Sequence, residues 1–363
     1  MRALDAAILA SPVIGARPRV LSNQQIVLET GFEIPLRVED SNIEFDLNGG
    51  VDDLLDPVFN ADGEPLIKIL VTKTPTRSYV GVSFSHLLGD GASYSYFLNL
   101  LTDFYATQTP PARPISNRRD LLQNLADSSP TSSLRKNLYE ATGYVTPRPP
   151  NPDQVSVETL HFSNEEVEDL RKTFLATEKI SVNNILMAVI AKKFHATVPL
   201  HNGKFLVRCP VDYRKILGLP AGYFGNAVRD AVAVFEPAEI ERASIEDVAF
   251  KIQDAIQQVD KANVVESLRH LDSFRQANGI QIFEDVGCPG LLVSNLSKMP
   301  FQNIVFDLGA PIGFHHASLN PRLALILASP VGFKIPYKRP VTAAKSKTEP
   351  VRAGLRLPFN AIC

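Results

Sequence analysis

The chain has no tryptophan and, in 363 residues, only three methionines and three cysteines. Cys209, Cys288 and Cys363 are odd in number, far apart and in no CxxC pair. That spacing excludes a disulfide framework and a structural zinc site, and it fits a reducing, cytoplasmic setting. A basic excess is also missing. Lys plus Arg is 37 against 39 for Asp plus Glu, a net charge of −2. With no cationic surplus to neutralise phosphates, a nucleic-acid partner is not expected. No apolar run approaches ~18 residues, so no membrane span is expected either. The opening MRALDAAILASPVIGA imitates a secretory leader loosely, but Asp5 interrupts its apolar stretch and the segment is good helix. GxxxxGK[ST], HExxH and GxSxG are absent, which leaves phosphate-loop, zinc-protease and serine-hydrolase chemistry without support. No metal site and no bound cofactor are expected.

What is present is an ordinary globular composition, 45% apolar and 21% charged, long enough for about two or three domains. Leu4, Ala7 and Ile8 sit at helical spacing over 2–10. Short strands are expected near 17–22, 25–29 and 34–37, and stronger ones at 66–72 and 79–86. In the last of these, Val80, Val82, Phe84 and His86 alternate onto one face. Phe97, Leu98, Leu101 and Phe104 then mark an amphipathic helix. A Pro-rich crossover at 107–153, with a short helical piece near 131–141, separates an N-terminal subdomain (1–106) from a C-terminal one (154–337). The remainder, 338–363, reads as a poorly ordered tail.

In the second half, a strand over 155–162 leads into a helix opened by a Ser163/Glu166 capping box. A helix over 182–197 and a strand over 205–212 follow. Ser244 and Asp247 open a further helix. Strands are expected at 280–284, 290–295 and 302–307. Strands and helices mix without strict alternation, so the fold class is α/β with mixed sheets.

The densest chemistry is His86-Leu87-Leu88-Gly89-Asp90-Gly91. An imidazole at a strand end, beside the start of a helix, suits general-base work, since histidine titrates near neutrality. Asp90 reads either as a carboxylate paired with a cation or as a plain helix N-cap. A second block is Val211-Asp212-Tyr213-Arg214, then Leu219-Pro220-Ala221-Gly222-Tyr223-Phe224-Gly225-Asn226-Ala227.

HLLGDG resembles the HxxxDG signature of the BAHD acyltransferases, within the CoA-dependent acyltransferase superfamily. The second block resembles that family's V-D-x-R … L-P-x-G-Y-F-G-N-A segment nearly letter for letter. The resemblance covers roughly residues 2–315. It implies two similar subdomains with mixed sheets backed by helices, and a tunnel between them for acyl-CoA and a small alcohol or amine acceptor. It implies a monomer with acyl-CoA as co-substrate. His86 would be the general base. Asp90, next to Gly91, would be structural and paired with an arginine. Arg214 is the candidate partner, with a link to Asp307 equally open. Tyr223, Gly225 and Asn226 would shape the interface.

The sequence departs from the family pattern at identifiable points. The family's D-F-G-W-G is here Asp307-Leu308-Gly309-Ala310-Pro311, and its upstream Ser/Thr-Trp is Ser294-Asn295. Any oxyanion donor must therefore be something other than an indole, and Asn295 is a candidate through its amide. The start resembles the family's first helix without the strand before it. After Pro321 the usual closing strand and hairpin are not recognisable. These departures motivate an alternative reading, a non-catalytic family member acting as a binding or regulatory protein. His315-His316 lacks the downstream Asp-Gly of a condensation domain, and His195 and His270 read as ordinary helix residues.

Overall fold

The computed structural model describes residues 2–21, 26–45, 51–107, 155–175, 180–196, 204–220, 222–276, 290–307, 309–316 and 322–340. The helical piece expected near 131–141, most of the 107–153 crossover, the strand expected at 280–284 and the tail beyond 340 lie outside these residues.

The first half opens with α1 (Arg2–Ala10), followed by β1 (Arg17–Val20) and β2 (Ile26–Glu29), an antiparallel pair. A three-stranded mixed sheet follows. Its edge strand β3 (Leu36–Asp40) runs parallel to β4 (Ile67–Lys73), which pairs antiparallel with β5 (Ser78–Phe84). The helix α2 (Gly91–Thr107) buries Phe97, Leu98, Leu101 and Phe104, the residues whose spacing predicted it.

The second half contains β6 (Val155–Ser163), α3 (Asn164–Leu175), α4 (Val182–His195), β7 (Phe205–Asp212) and the single turn α5 (Arg214–Leu217). It continues with β8 (Val228–Phe235), α6 (Pro237–Arg242), α7 (Ile245–Gln257), α8 (Lys261–Gln276), β9 (Gly290–Asn295), β10 (Leu323–Ser329) and β11 (Gly332–Pro340). The strands form one mixed sheet in the order β6-β11-β10-β9-β7-β8. The expected Ser163/Glu166 capping box is present, and Ser244 and Asp247, expected to open a helix, form a second one. Ser163 and Glu166 exchange bonds of 2.7 and 3.0 Å, and the Ser244 and Asp247 backbone N–H groups each meet the other's side chain at 3.0 Å.

The central strands of this sheet are buried on both faces. Leu291, Val293, Ala324 and Ile326 face a core built with α4 and α7. Leu292, Leu323, Leu325 and Leu327 face the opposite way, into a core that they share with α1, β4, β5 and α2. The two halves are thus joined by apolar packing across one face of the larger sheet.

Three expectations need correction. The strand expected at 302–307 is a 3₁₀ turn over Phe301–Asn303, then irregular chain with one isolated bridge from Phe306 to Gly309. The closing hairpin is present as β10 and β11. It escaped recognition because LALIL is apolar on both faces, so it shows no alternation. Pro336 also removes a donor, and the β10–β11 ladder is interrupted there. Finally, the β5 face is not uniformly buried: Val80 is 47% exposed, and β5 ends at Phe84, before His86.

Candidate active site

His86 lies in the turn between β5 and α2. Ser85 builds that turn twice over. Its carbonyl accepts from the Leu88 N–H at 3.0 Å, and its Oγ accepts from the Leu87 N–H at 3.1 Å. The Ser85 hydroxyl in turn donates to Asn60 Oδ1 at 2.6 Å. His86 is half-buried.

Asp90 resolves both readings of its role, because it does both. As N-cap of α2 it accepts from the Ser93 N–H through Oδ1 at 3.0 Å. It also takes the Arg214 fork in two bonds, Nη2 to Oδ1 at 2.8 Å and Nη1 to Oδ2 at 2.9 Å. The Ala227 N–H completes the set on Oδ2 at 2.8 Å. A carboxylate offers about four acceptor positions, and protein donors fill them all. Asp90 is buried to 1% exposure. Burial alone pushes its carboxyl up, but the Arg214 bonds and charge, with the Ala227 and Ser93 N–H groups, outweigh that and hold it below the usual carboxylate range.

Local sequence explains how Arg214 gets there. Asp212 Oδ1 accepts the N–H of Arg214, two residues on, at 2.8 Å, an Asx turn. It also pairs with Arg214 Nη1 at 3.2 Å. Gly218, at φ 65°, ends the turn. Burial works against the guanidinium, yet Asp90 and Asp212 keep it above its ordinary range.

The Y-F-G-N turn staples the halves together. Tyr223 is buried in the core beneath α4, and its neighbour Phe224 in the core shared with the first half. The Phe224 ring lies 6.2 Å from Phe84 and 6.3 Å from Tyr96. Burying one such side chain is worth ~1.5–3 kcal/mol. Arg214 lies over the Tyr223 ring at 5.5 Å. Gly225, at φ 149°, exposes both of its backbone groups to Ser93 Oγ, which accepts from its N–H at 2.9 Å and donates to its carbonyl at 3.0 Å. Asn226 Nδ2 donates to the His86 carbonyl at 2.9 Å. Gly91 is the first residue of α2.

The remaining sequence-predicted residues lie elsewhere. Asp307 and Gly309 sit on an exposed turn, where Asp307 accepts from the Tyr105 hydroxyl rather than pairing with Arg214. Asn295 ends β9. Its Oδ1 accepts from the Ser297 N–H and hydroxyl at 2.9 and 2.6 Å, and its Nδ2 donates to Asn183 Oδ1 at 2.7 Å. One N–H of that amide is left beyond the Asn183 bond.

Sequence reasoning missed Ser93, which packs against Gly89 of the HxxxDG loop. A Cβ on Gly89 would lie 2.5 Å from Ser93 Cβ, so glycine is needed where the loop passes the helix. The signal was available: Ser93 is three residues after the N-cap, where helix-start bonds converge.

Two halves joined across a mixed sheet, with HxxxDG and Y-F-G-N meeting at their seam, define a CoA-dependent acyltransferase fold. The structure resembles that of F. sporotrichioides TRI101 complexed with coenzyme A and T-2. The TM-score is 0.74 at 13% identity, over 93% of this chain and 85% of that one. The family model described as the Transferase family matches residues 54–330, and the chain belongs to that family, the BAHD acyltransferases. Curated relatives include a hydroxycinnamoyltransferase of Narcissus pseudonarcissus, 24% identical over 64% of this chain and 56% of its own length. A spermidine coumaroyl-CoA acyltransferase of Arabidopsis thaliana is 22% identical over 72% of this chain and 61% of its own. The chain thus spans about three fifths of the length of these relatives. Among the described residues, no helix is long and apolar enough to cross a membrane.

Proposed function

We propose that this chain transfers an acyl group from acyl-CoA to a hydroxyl or amine of a small specialised metabolite, acting as a cytoplasmic monomer with His86 as general base. The observation that carries this reading is the saturation of Asp90. With every acceptor position taken by protein donors, the carboxylate of the motif is structural, and the base role falls to the imidazole. His86 takes the proton from the acceptor O–H or N–H as the nucleophile attacks the thioester carbonyl. The C–S bond then breaks, and the imidazolium returns the proton to the departing CoA thiolate. No covalent enzyme intermediate is needed. The name of the spermidine coumaroyl-CoA relative supports an amine as one acceptor class.

Asn295 is the proposed donor to the oxyanion, through the N–H not given to Asn183. Asn295→Ala is expected to lower kcat by about 10²-fold, read by release of free CoA thiol. Wild-type turnover in that variant would remove the assignment. Asp307 and Gly309 are proposed as structural residues of the active site, with Asp307 held by the Tyr105 hydroxyl.

The reading is tested by thermal melting with and without CoA. Ligand at about 100 times its dissociation constant stabilises the fold by ~2.7 kcal/mol. A clear rise in Tm is expected. The chain's lack of tryptophan favours the second reading, a binding or regulatory protein. A CoA-induced shift with no thiol release from any acyl-CoA and acceptor would select it, and no shift at all would defeat the acyl-CoA reading.

A further inference from the structure

We propose that Asn226 is a positioning residue for His86: its side-chain amide, delivered from the second half of the chain, fixes the backbone from which the imidazole projects. The proposal rests on the reading of His86 as general base.

His86 lies two residues beyond the end of β5, in the turn toward α2, and presents its backbone carbonyl there. That carbonyl is met by Asn226 Nδ2 at 2.9 Å, across 140 residues of sequence. The orientation of the amide is determined, since the flipped form would set Oδ1 against the carbonyl oxygen. Asn226 is itself held on both sides. The next residue, Ala227, donates its N–H to Asp90, and the previous one, Gly225, is bonded to Ser93 through both backbone groups. The Asn226 carbonyl accepts from the Tyr213 hydroxyl at 3.3 Å.

Asn226 Oδ1 is buried, with no hydrogen-bond partner among the described residues. The hold on His86 is made by the N–H side of the amide. The consequence is that His86 is held from both halves: Ser85 shapes its turn from the first, and Asn226 fixes its carbonyl from the second. The imidazole is therefore in register with a substrate between the halves only when they are docked. A displacement of about 1 Å at a reacting group can cost 10²-fold in rate.

The test uses the full chain and compares Asn226→Ala and Asn226→Asp with Ser93→Ala. The aspartate keeps the shape but replaces the donor by an oxygen. Ser93→Ala weakens the same interface through Gly225 and Arg214 without touching the His86 carbonyl. Two readouts are taken. The first is the ¹⁵N imidazole NMR signal of His86, assigned by its loss in His86→Ala. The second is thiol release from coumaroyl-CoA with spermidine.

Both Asn226 variants are expected to shift or broaden the His86 signal and to lower kcat by 10- to 100-fold, with KM for the thioester within about twofold. Ser93→Ala is expected to lower Tm by more and kcat by less. An unchanged His86 signal in both Asn226 variants overturns the proposal, whatever the activity. So does an equal loss of kcat and Tm across all three variants. Full turnover in His86→Ala would instead defeat the general-base reading, while the NMR comparison would still decide the clamp.

Discussion

Replacing His86 by alanine is expected to lower acyl transfer by about 10²–10⁴-fold, the range that a positioned general base contributes, with little change in melting temperature. The stability half of that expectation follows from the backbone. The turn that carries His86 is built by Ser85 and by the Leu88 and Leu87 N–H groups. Its cross-half bond uses the His86 carbonyl, which alanine retains. The side chain is half-buried. Thiol release from acyl-CoA in the presence of an amine or alcohol acceptor measures the rate, and circular dichroism measures the melt. A variant that melts like the parent and turns over like the parent would remove His86 from the chemistry. A variant that fails to melt cooperatively would show that the imidazole carries structure instead.

Asp90→Ala should behave in the opposite way, with a large loss of stability and loss of activity as its consequence. The substitution leaves the Arg214 guanidinium without its main counter-charge, and it strands the Ser93 and Ala227 N–H groups. Removing one partner of a buried pair typically costs ~3–5 kcal/mol, against a total stability of about 5–15 kcal/mol for a native protein. The same group gives an acid limb. The folded-state pKa of Asp90 lies below its unfolded value. Its contribution is therefore present above the unfolded pKa, near pH 4, and is lost as pH falls through the lower folded value. Denaturant melts between pH 6 and pH 3 should show the parent losing more stability than Asp90→Ala over that interval. Equal slopes, or a variant as stable as the parent at pH 6, would contradict the structural role.

Legibility from sequence varied with the kind of signal. Helices with one buried stripe were readable, because period 3.6 survives in the chain itself. This held for α2 through Phe97, Leu98, Leu101 and Phe104, and the capping boxes at Ser163 and Ser244 marked their helix starts to the residue. The strands β10 and β11 were not readable. LALIL carries no alternation when both of its faces are covered, and GFKIPYKRP contains prolines that argue against an interior strand. The helix α8 (KANVVESLRHLDSFRQ) was read only through the helical setting of His270 and was given no bounds, for its apolar positions are few among many polar ones. At the site, HxxxDG and Y-F-G-N could be found as motifs. Their mutual contact could not, because nothing local couples residue 90 to residue 214.

By itself the sequence determined the family, the mixed α/β class and the identity of the motif residues. Those depend on residue type and short spacing, which a single chain displays. Only the tertiary structure decided between the two candidate links of Arg214, in favour of Asp90 and with Asp307 turned to Tyr105. Only it brought Asn226 to the His86 carbonyl and filled the four acceptor positions of Asp90. The reason is physical. A carboxylate buried to 1% exposure must have its lone pairs satisfied, and the donors that satisfy it come from α2, from the turn after β7 and from the turn before β8. Packing of Leu323, Leu325 and Leu327 against the first half is what brings those three segments within hydrogen-bonding distance.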